Sequence, residues 1–161
     1  IALWVVVEMI ERQFGTRKLS ELGGIAAKAP ALATLLVIMA FANISLPLTN
    51  AFVGEFLMFA GIFTSTFSKY NFVFTTLALL SIILAAVYTL TMVQKVFFGP
   101  VNERTANAVD IRLNEKLALS ALVVIIFAFG VYPQPLLTIT SEYTEAIINN
   151  STRVLTQTLN K

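Results

Sequence analysis

The chain of 161 residues contains no cysteine and no histidine. It therefore cannot form a disulfide bond or a thiolate nucleophile, and it lacks the usual ligands of zinc, haem and iron–sulfur clusters. No glycine-rich phosphate loop, Gly-x-Ser-x-Gly motif or His-Glu-x-x-His motif is present either. We therefore expect no metal site, no cofactor and no redox centre in this chain. Any chemistry that it performs would involve protons or simple ions.

Charged residues are also scarce, at 12% of the chain, whereas apolar residues make up 57%. A typical globular domain has about 25% charged and roughly 45–50% apolar residues. Crossing a bilayer takes about 20 predominantly apolar residues. Uncharged stretches of about that length occur at residues 29–54, 70–94 and 117–141. The sequence thus predicts an all-α, polytopic transmembrane helix bundle. Its net charge of +2 lies in the loops, which indicates membrane orientation and not binding to nucleic acid.

The order of apolar and polar segments predicts a single membrane domain. Residue 1 is Ile, and the chain is apolar from its start, so we expect the C-terminal part of a larger polytopic protein. The polar tail is either a surface helix or partly disordered. The predicted segments are the end of a helix (1–13), a discontinuous helix (29–68), two further helices (72–98 and 117–137) and the tail (138–161).

The segment 29–68 could be one span broken in its middle or two spans joined by a tight hairpin. One broken span places eight basic residues on the face that carries the connector 11–28 and the loop 95–116, against three on the other face. Two spans give seven against four. The positive-inside rule favours the more uneven division, and the length of the segment fits one tilted span. We therefore favour a single helix broken near residues 45–50.

Glu55 is the one acidic residue deep inside an apolar stretch. A charged side chain at the centre of a membrane helix costs about 2.5–3.5 kcal/mol on insertion scales, and apolar surroundings favour the neutral form of a carboxyl group. Such a carboxyl group can take up and release a proton. The alternative is a structural Glu paired with a Lys from another helix, and the two roles are compatible.

Pro47 precedes Glu55 by eight residues and marks the helix break. Proline removes a helical N–H, so carbonyl groups near Asn43 are expected to lack helical partners. Within a membrane, such groups must be buried in protein or line a water-filled cavity, as at the ion sites of transporters. The alternative is a plain proline kink. The polar residues that could hold water here, or only satisfy the kink, are Asn43, Ser45, Thr49 and Asn50.

These motifs resemble a known family. Leu46-Pro47 followed by the stretch 50–57 closely resembles the broken-helix segment of subunit M (chain 4) of the proton-pumping NADH-quinone oxidoreductases, the complex I family. Further stretches agree in order and spacing: Glu11-Arg12 before Thr16-Arg17 and Gly23-Gly24, Tyr88 with the stretch 94–100, and the stretch 130–135.

The resemblance implies the C-terminal part of an antiporter-like fold with one discontinuous helix. It implies a translocase subunit that couples quinone reduction to proton pumping through a half-channel containing Glu55. Related L- and N-type subunits carry Lys at this place, so Glu55 argues for the M type. NAD, FMN, iron–sulfur clusters and quinone would be bound by partner subunits. The expected partners are the L- and N-type neighbours and the lipid bilayer.

The expected location is a bacterial inner membrane, with the mitochondrial inner membrane as the alternative.

Two other functions stay open. One is a subunit of a multi-component Na+/H+ antiporter or a membrane-bound hydrogenase of the same fold family. The other is a structural membrane scaffold, in which Glu55 is paired and no proton moves.

Overall fold

A computed structural model describes residues 1–66 and 69–159 of the chain, with side chains up to Asn149. The described residues form helices and no strands, which confirms the predicted fold class. Two short 3-10 turns, Leu19–Glu21 and Ile25–Ala27, lie in the connector between the first two helices. The helices are α1 (Ala2–Phe14), α2 (Pro30–Asn43), α3 (Asn50–Thr64), α4 (Asn71–Phe97), α5 (Leu113–Val131) and α6 (Gln134–Leu159).

The end of the last apolar segment differs from the predicted helix 117–137. The structure ends α5 at Val131 and begins α6 at Gln134, because Pro133 disfavours the helical conformation of the residue before it. Tyr132 accordingly adopts φ −127° and ψ 77°. The tail is helical as far as Leu159. Residues 67–68, at the end of the predicted discontinuous helix, and residues 160–161 lie outside the described part of the chain.

The helices differ in whether they are long enough to cross a membrane. α4 and α5, with 27 and 19 residues, are long and apolar enough to do so. α2 and α3 are apolar but have only 14 and 15 residues. At 1.5 Å per residue each is about 21–23 Å long, less than the roughly 30 Å of a bilayer core. Neither half of the discontinuous helix therefore crosses a bilayer core alone.

The buried core lies where α1, α2, the connector and the second half of α4 pack together with Leu119 of α5. By contrast, α3 contributes no buried residue. Most of its large apolar side chains are exposed, as expected for a surface that contacts lipid or further protein. The largest fully buried apolar side chains are those of Val6, Ile25, Leu32, Met39, Val96, Phe97 and Leu119.

The connector (15–29) and the loop between α4 and α5 (98–112) are bonded together, and we name this contact the loop clasp. Thr105 is fully buried, and its Oγ1 donates to the carbonyl of Gly23 at 2.6 Å. The side-chain amide of Asn102 donates to the carbonyl of Glu21 at 2.8 Å. A Cβ on Gly23 would lie 2.4 Å from the carbonyl oxygen of Pro100, so only glycine permits this approach. The connector and the loop therefore lie at the same end of the bundle.

Asp110, the last acidic residue before α5, caps the amino terminus of α2. That helix has no cap of its own, because Ala29 has no polar side chain and Pro30 has no N–H. The Asp110 carboxylate accepts hydrogen bonds from the N–H groups of Ala31 (2.9 Å) and Leu32 (3.1 Å). Burial raises the pKa of Asp110, but these bonds and one from the N–H of Ile111 outweigh it and lower the pKa. The start of α2 is thus tied to the start of α5.

Candidate functional site

The break between α2 and α3 begins with a hydrogen-bonded helix end. The N–H of Ser45 donates to the carbonyl of Ala42 at 3.3 Å, and the N–H of Leu46 donates to the carbonyl of Phe41 at 3.2 Å. This pair of bonds is the Schellman motif, which places a left-handed residue just after the helix. Ser45 occupies that position with φ +56°, where glycine is the usual residue. The carbonyls of Phe41 and Ala42 therefore have partners at the helix end.

A tight turn follows the helix end. The N–H of Thr49 donates to the carbonyl of Leu46 at 3.2 Å. Pro47 takes the second position, where its fixed φ is favoured, and Leu48 takes the third with φ +77°. Glycine is the preferred residue at that third position of a type II turn, so Leu48 is an uncommon occupant. Pro47 thus belongs to a turn inside the break and does not interrupt a continuing helix.

The turn packs against the end of α5 at Gly130. A Cβ on Gly130 would lie 2.0 Å from the carbonyl oxygen of Leu48. No side chain fits in that space, so glycine at this position allows α5 to contact the backbone of the break. α5 is therefore fixed to the discontinuous helix at the break as well as at Asp110.

A cavity of about 400 Å³ lies beside the break. It brings together four of the residues singled out in the sequence: Glu55 of α3, Ser45 of the break, and Asn43 and Asn50 at the facing helix ends. The other lining residues are apolar, and sequence reasoning did not identify them. They are Leu122, Ile125 and Ile126 of α5, Met39 and Ala42 of α2, Ala51 of α3, and Ile1, Ala2 and Leu3.

The other two candidate residues do not line this cavity. Thr49 is buried, and its Oγ1 donates to the carbonyl of Leu46 at 2.7 Å, so its hydroxyl group stabilises the turn. Pro47 shapes the same turn. The structure therefore assigns these two residues to the geometry of the break.

Two polar atoms at the cavity are buried without a hydrogen-bond partner in the described part of the chain. They are Oγ of Ser45 and Oε2 of Glu55. A buried polar atom without a partner costs about 1–3 kcal/mol, and ordered water commonly supplies the missing bond. The hydroxyl oxygen of Thr89 in α4 is also buried without a hydrogen-bond partner in the described part of the chain. Nothing in the sequence distinguishes Thr89 from the other threonines of that helix.

Apart from Glu55, no acidic or basic side chain in the described part of the chain lines the cavity, and the nearby charges are the partial charges of helix ends. The carboxyl end of α2 and the amino end of α3 meet at the break, and Glu55 lies in the second turn of α3. Helix amino ends carry partial positive charge and carboxyl ends partial negative charge. Among the described residues, the ion pairs involve other carboxylates, and no group of three or more acidic residues could hold a metal ion.

Comparison with known proteins identifies the family. Residues 1–81, which include α1, the connector and the whole discontinuous helix, match the family model described as NADH:quinone oxidoreductase/Mrp antiporter, transmembrane. The chain belongs to this family. The match confirms the resemblance found in the motifs, and membership of this transmembrane family makes the chain a membrane protein. Glu55 and the cavity-lining residues of α2 and α3 all lie inside the matched region.

Several curated proteins are similar to most of the chain. NADH-quinone oxidoreductase subunit M of Rickettsia bellii is 33% identical over 138 residues, which cover 85% of this chain and 27% of the relative. The F420H2 dehydrogenase subunit M of Methanosarcina mazei is 33% identical over 140 residues, covering 87% and 27%. NADH-quinone oxidoreductase subunit M of Mycobacterium tuberculosis is 32% identical over 138 residues, covering 86% and 24%. The chain thus spans about a quarter of the length of these relatives.

Proposed function

We propose that the chain is part of a proton-translocating membrane subunit of a respiratory NADH-quinone oxidoreductase, and that Glu55 takes up and releases the proton. The observation that carries the proposal is the buried, unpartnered Oε2 of Glu55 beside a polar cavity at a helix break. A carboxyl group so placed needs a hydrogen-bond partner from water or from another part of the protein. Either partner could exchange a proton with it.

Water in the cavity would connect Glu55 to its surroundings. A volume of about 400 Å³ has room for several water molecules, each of which takes about 30 Å³ in the liquid. The Ser45 hydroxyl and the amides of Asn43 and Asn50 supply donors and acceptors on the cavity wall. These groups would hold water next to the carboxyl group, and Thr49 would act indirectly by stabilising the break.

The discontinuous helix, in this proposal, crosses the membrane once. The loop clasp keeps both ends of the segment 30–97 at one end of the bundle. α4 is long enough to cross alone, so its first residue, Asn71, lies at the opposite end. α2, the break and α3 together must then cross in the other direction. In this topology Glu55 would lie within the membrane, after the break.

The redox chemistry would belong to partner subunits of the complex. NAD, FMN, iron–sulfur clusters and quinone would all be bound there, while this chain contributes to the proton path. The L- and N-type antiporter-like subunits and the lipid bilayer are the neighbours we propose. The relatives in Rickettsia and Mycobacterium favour a bacterial inner membrane over a mitochondrial one.

A second candidate function keeps the proton path but changes the electron donor or the coupling. The F420H2 dehydrogenase subunit M of Methanosarcina mazei is 33% identical to this chain, as is the NADH-quinone oxidoreductase subunit M of Rickettsia bellii. The family description also includes Mrp antiporters. The sequence similarity therefore supports a shared proton site but does not distinguish NADH from reduced F420 as the electron donor. Assaying the isolated complex with NADH and with reduced F420 would separate the two donors.

The proposal is tested by Glu55→Gln in the protein that carries this chain, assayed in inverted membrane vesicles. Gln keeps the size and polarity of the side chain but cannot release a proton. We expect the complex to assemble, with proton pumping and coupled electron transfer reduced at least tenfold. The matched control is Glu145→Gln, which removes the same charge from an exposed position on α6 and should pump normally. Normal pumping by the assembled Glu55→Gln variant would favour the structural scaffold instead.

A further inference from the structure

We propose that Asp110 is a positioning residue for the site: by capping α2 it holds in place the residues of α2 that line the cavity beside Glu55. This inference rests on the proposed function, because it assigns a purpose to the cavity beside Glu55. Asp110 lies in the loop between α4 and α5 and does not line that cavity. Its effect on Glu55 must therefore pass through α2 and α5.

The cap adds polar contacts to a helix start that is otherwise held by core packing around Ala29, Leu32 and Ala33. Both oxygens of the Asp110 carboxylate accept from α2, Oδ2 from the N–H of Ala31 and Oδ1 from the N–H of Leu32. These are first-turn donors that have no partner inside an α-helix. α2 has only 14 residues before the break, and short helices depend on their ends and on packing. The carboxylate also complements the positive end of the helix dipole.

The cavity lies between the two points at which α2 and α5 are fixed to each other. At one end Asp110, just before α5, holds the first turn of α2. At the other end Gly130 of α5 packs against the carbonyl of Leu48 in the break. Asn43 of α2 and Ile125 of α5 both line the cavity. In this proposal, losing the first contact lets the start of α2 shift relative to α5, which changes the space beside Glu55.

The experiment compares Asp110→Ala and Asp110→Asn in the assembled membrane complex. Hydrogen–deuterium exchange at the start of α2 reports the cap, and loss of the cap should speed exchange about fivefold. The infrared bands of the Glu55 carboxyl group, identified as those lost in Glu55→Gln, report the hydrogen bonds at the site. We expect Asp110→Ala to change both signals. Asn keeps one acceptor oxygen at the same place, so Asp110→Asn should give intermediate changes.

Glu103→Ala is the matched control, because Glu103 is an exposed carboxylate on the same loop. It should leave both signals unchanged. Faster exchange in α2 with an unmoved Glu55 band, in Asp110→Ala, would make Asp110 an ordinary structural cap and overturn the inference. If Asp110→Ala does not assemble, the same comparison is made with Asp110→Asn. The infrared band does not depend on pumping, so a failed proton-path proposal and a failed positioning proposal give different results.

Discussion

The carboxylate of Asp110 binds the backbone N–H of Ala31, a residue 79 positions earlier in the chain, at 2.9 Å. The contact joins the start of the discontinuous helix to the start of α5. It lies at the same end of the bundle as the loop clasp, where Thr105 binds the carbonyl of Gly23. These polar contacts lie outside the apolar spans and join the loops at one end of the bundle.

The stabilising effect of Asp110 should depend on pH. Its backbone hydrogen bonds lower the pKa in the folded protein, so the folded state binds a proton less readily than the unfolded state. The contribution is then fully present above the unfolded pKa of about 3.9 and is lost as the pH falls through the lower, folded value. We expect the difference in thermal midpoint between wild type and Asp110→Asn, in detergent, to be constant from neutral pH to about pH 5. Below about pH 4 it should shrink, and a difference that grows on acidification would contradict the assignment.

Replacing Gly130 by alanine should disturb the contact between α5 and the break. The new Cβ would meet the Leu48 carbonyl oxygen at 2.0 Å, and backbone atoms on both sides would have to move. Overpacking of this kind costs about 1–3 kcal/mol. We expect a lower thermal midpoint and less assembled complex on native gels.

Gly61→Ala provides the control for that substitution. A Cβ on Gly61 meets nothing within 4 Å, and the residue lies in the interior of α3. Alanine there should raise helix stability by about 0.5–1 kcal/mol. Equal loss of assembly in both variants would mean that the close contact at Gly130 does not matter.

Ser45→Gly and Leu48→Gly form a pair that separates the Ser45 hydroxyl from the backbone conformation. Both residues have positive φ, at +56° and +77°, so glycine should relieve strain at either position. Only Ser45 lines the cavity beside Glu55. We expect both variants to assemble, Leu48→Gly to pump like wild type, and Ser45→Gly to pump several-fold more slowly at the same complex content. Equal pumping by the two variants would remove Ser45 from the proton path.

Much of the fold followed from the apolar runs. Their lengths and the charges between them indicated the helices of the bundle and the region of the break. Glu55 was singled out because a carboxyl group inside an apolar run is energetically costly and therefore commonly functional. The way in which the break is made was not predictable from Pro47 alone. Ser45 and Leu48 adopt left-handed conformations that their residue types disfavour, so the pattern gave no signal for them.

The contacts that hold the site were missed for a different reason. Asp110 and Thr105 act on residues about 80 positions away, and no local periodicity reports such a pairing. Gly130 belongs to a stretch that resembles the family. The reason that it must be glycine, the close contact with the carbonyl of Leu48, became visible only in the folded structure. Long-range polar contacts and close backbone approaches require the folded structure.

The loop clasp also constrains the order in which this membrane protein can mature. Thr105 is synthesised 82 residues after Gly23, its hydrogen-bond partner. Until a ribosome has made α4 and the loop that follows it, the connector lacks its hydrogen bonds to Thr105 and Asn102, and the first turn of α2 lacks its bonds to Asp110. In the proposed topology, the discontinuous helix therefore enters the bilayer before its first turn is capped, and the cavity beside Glu55 is completed only after α5 has been added. Under the proposed function, a late step of biogenesis would thus complete the proton site.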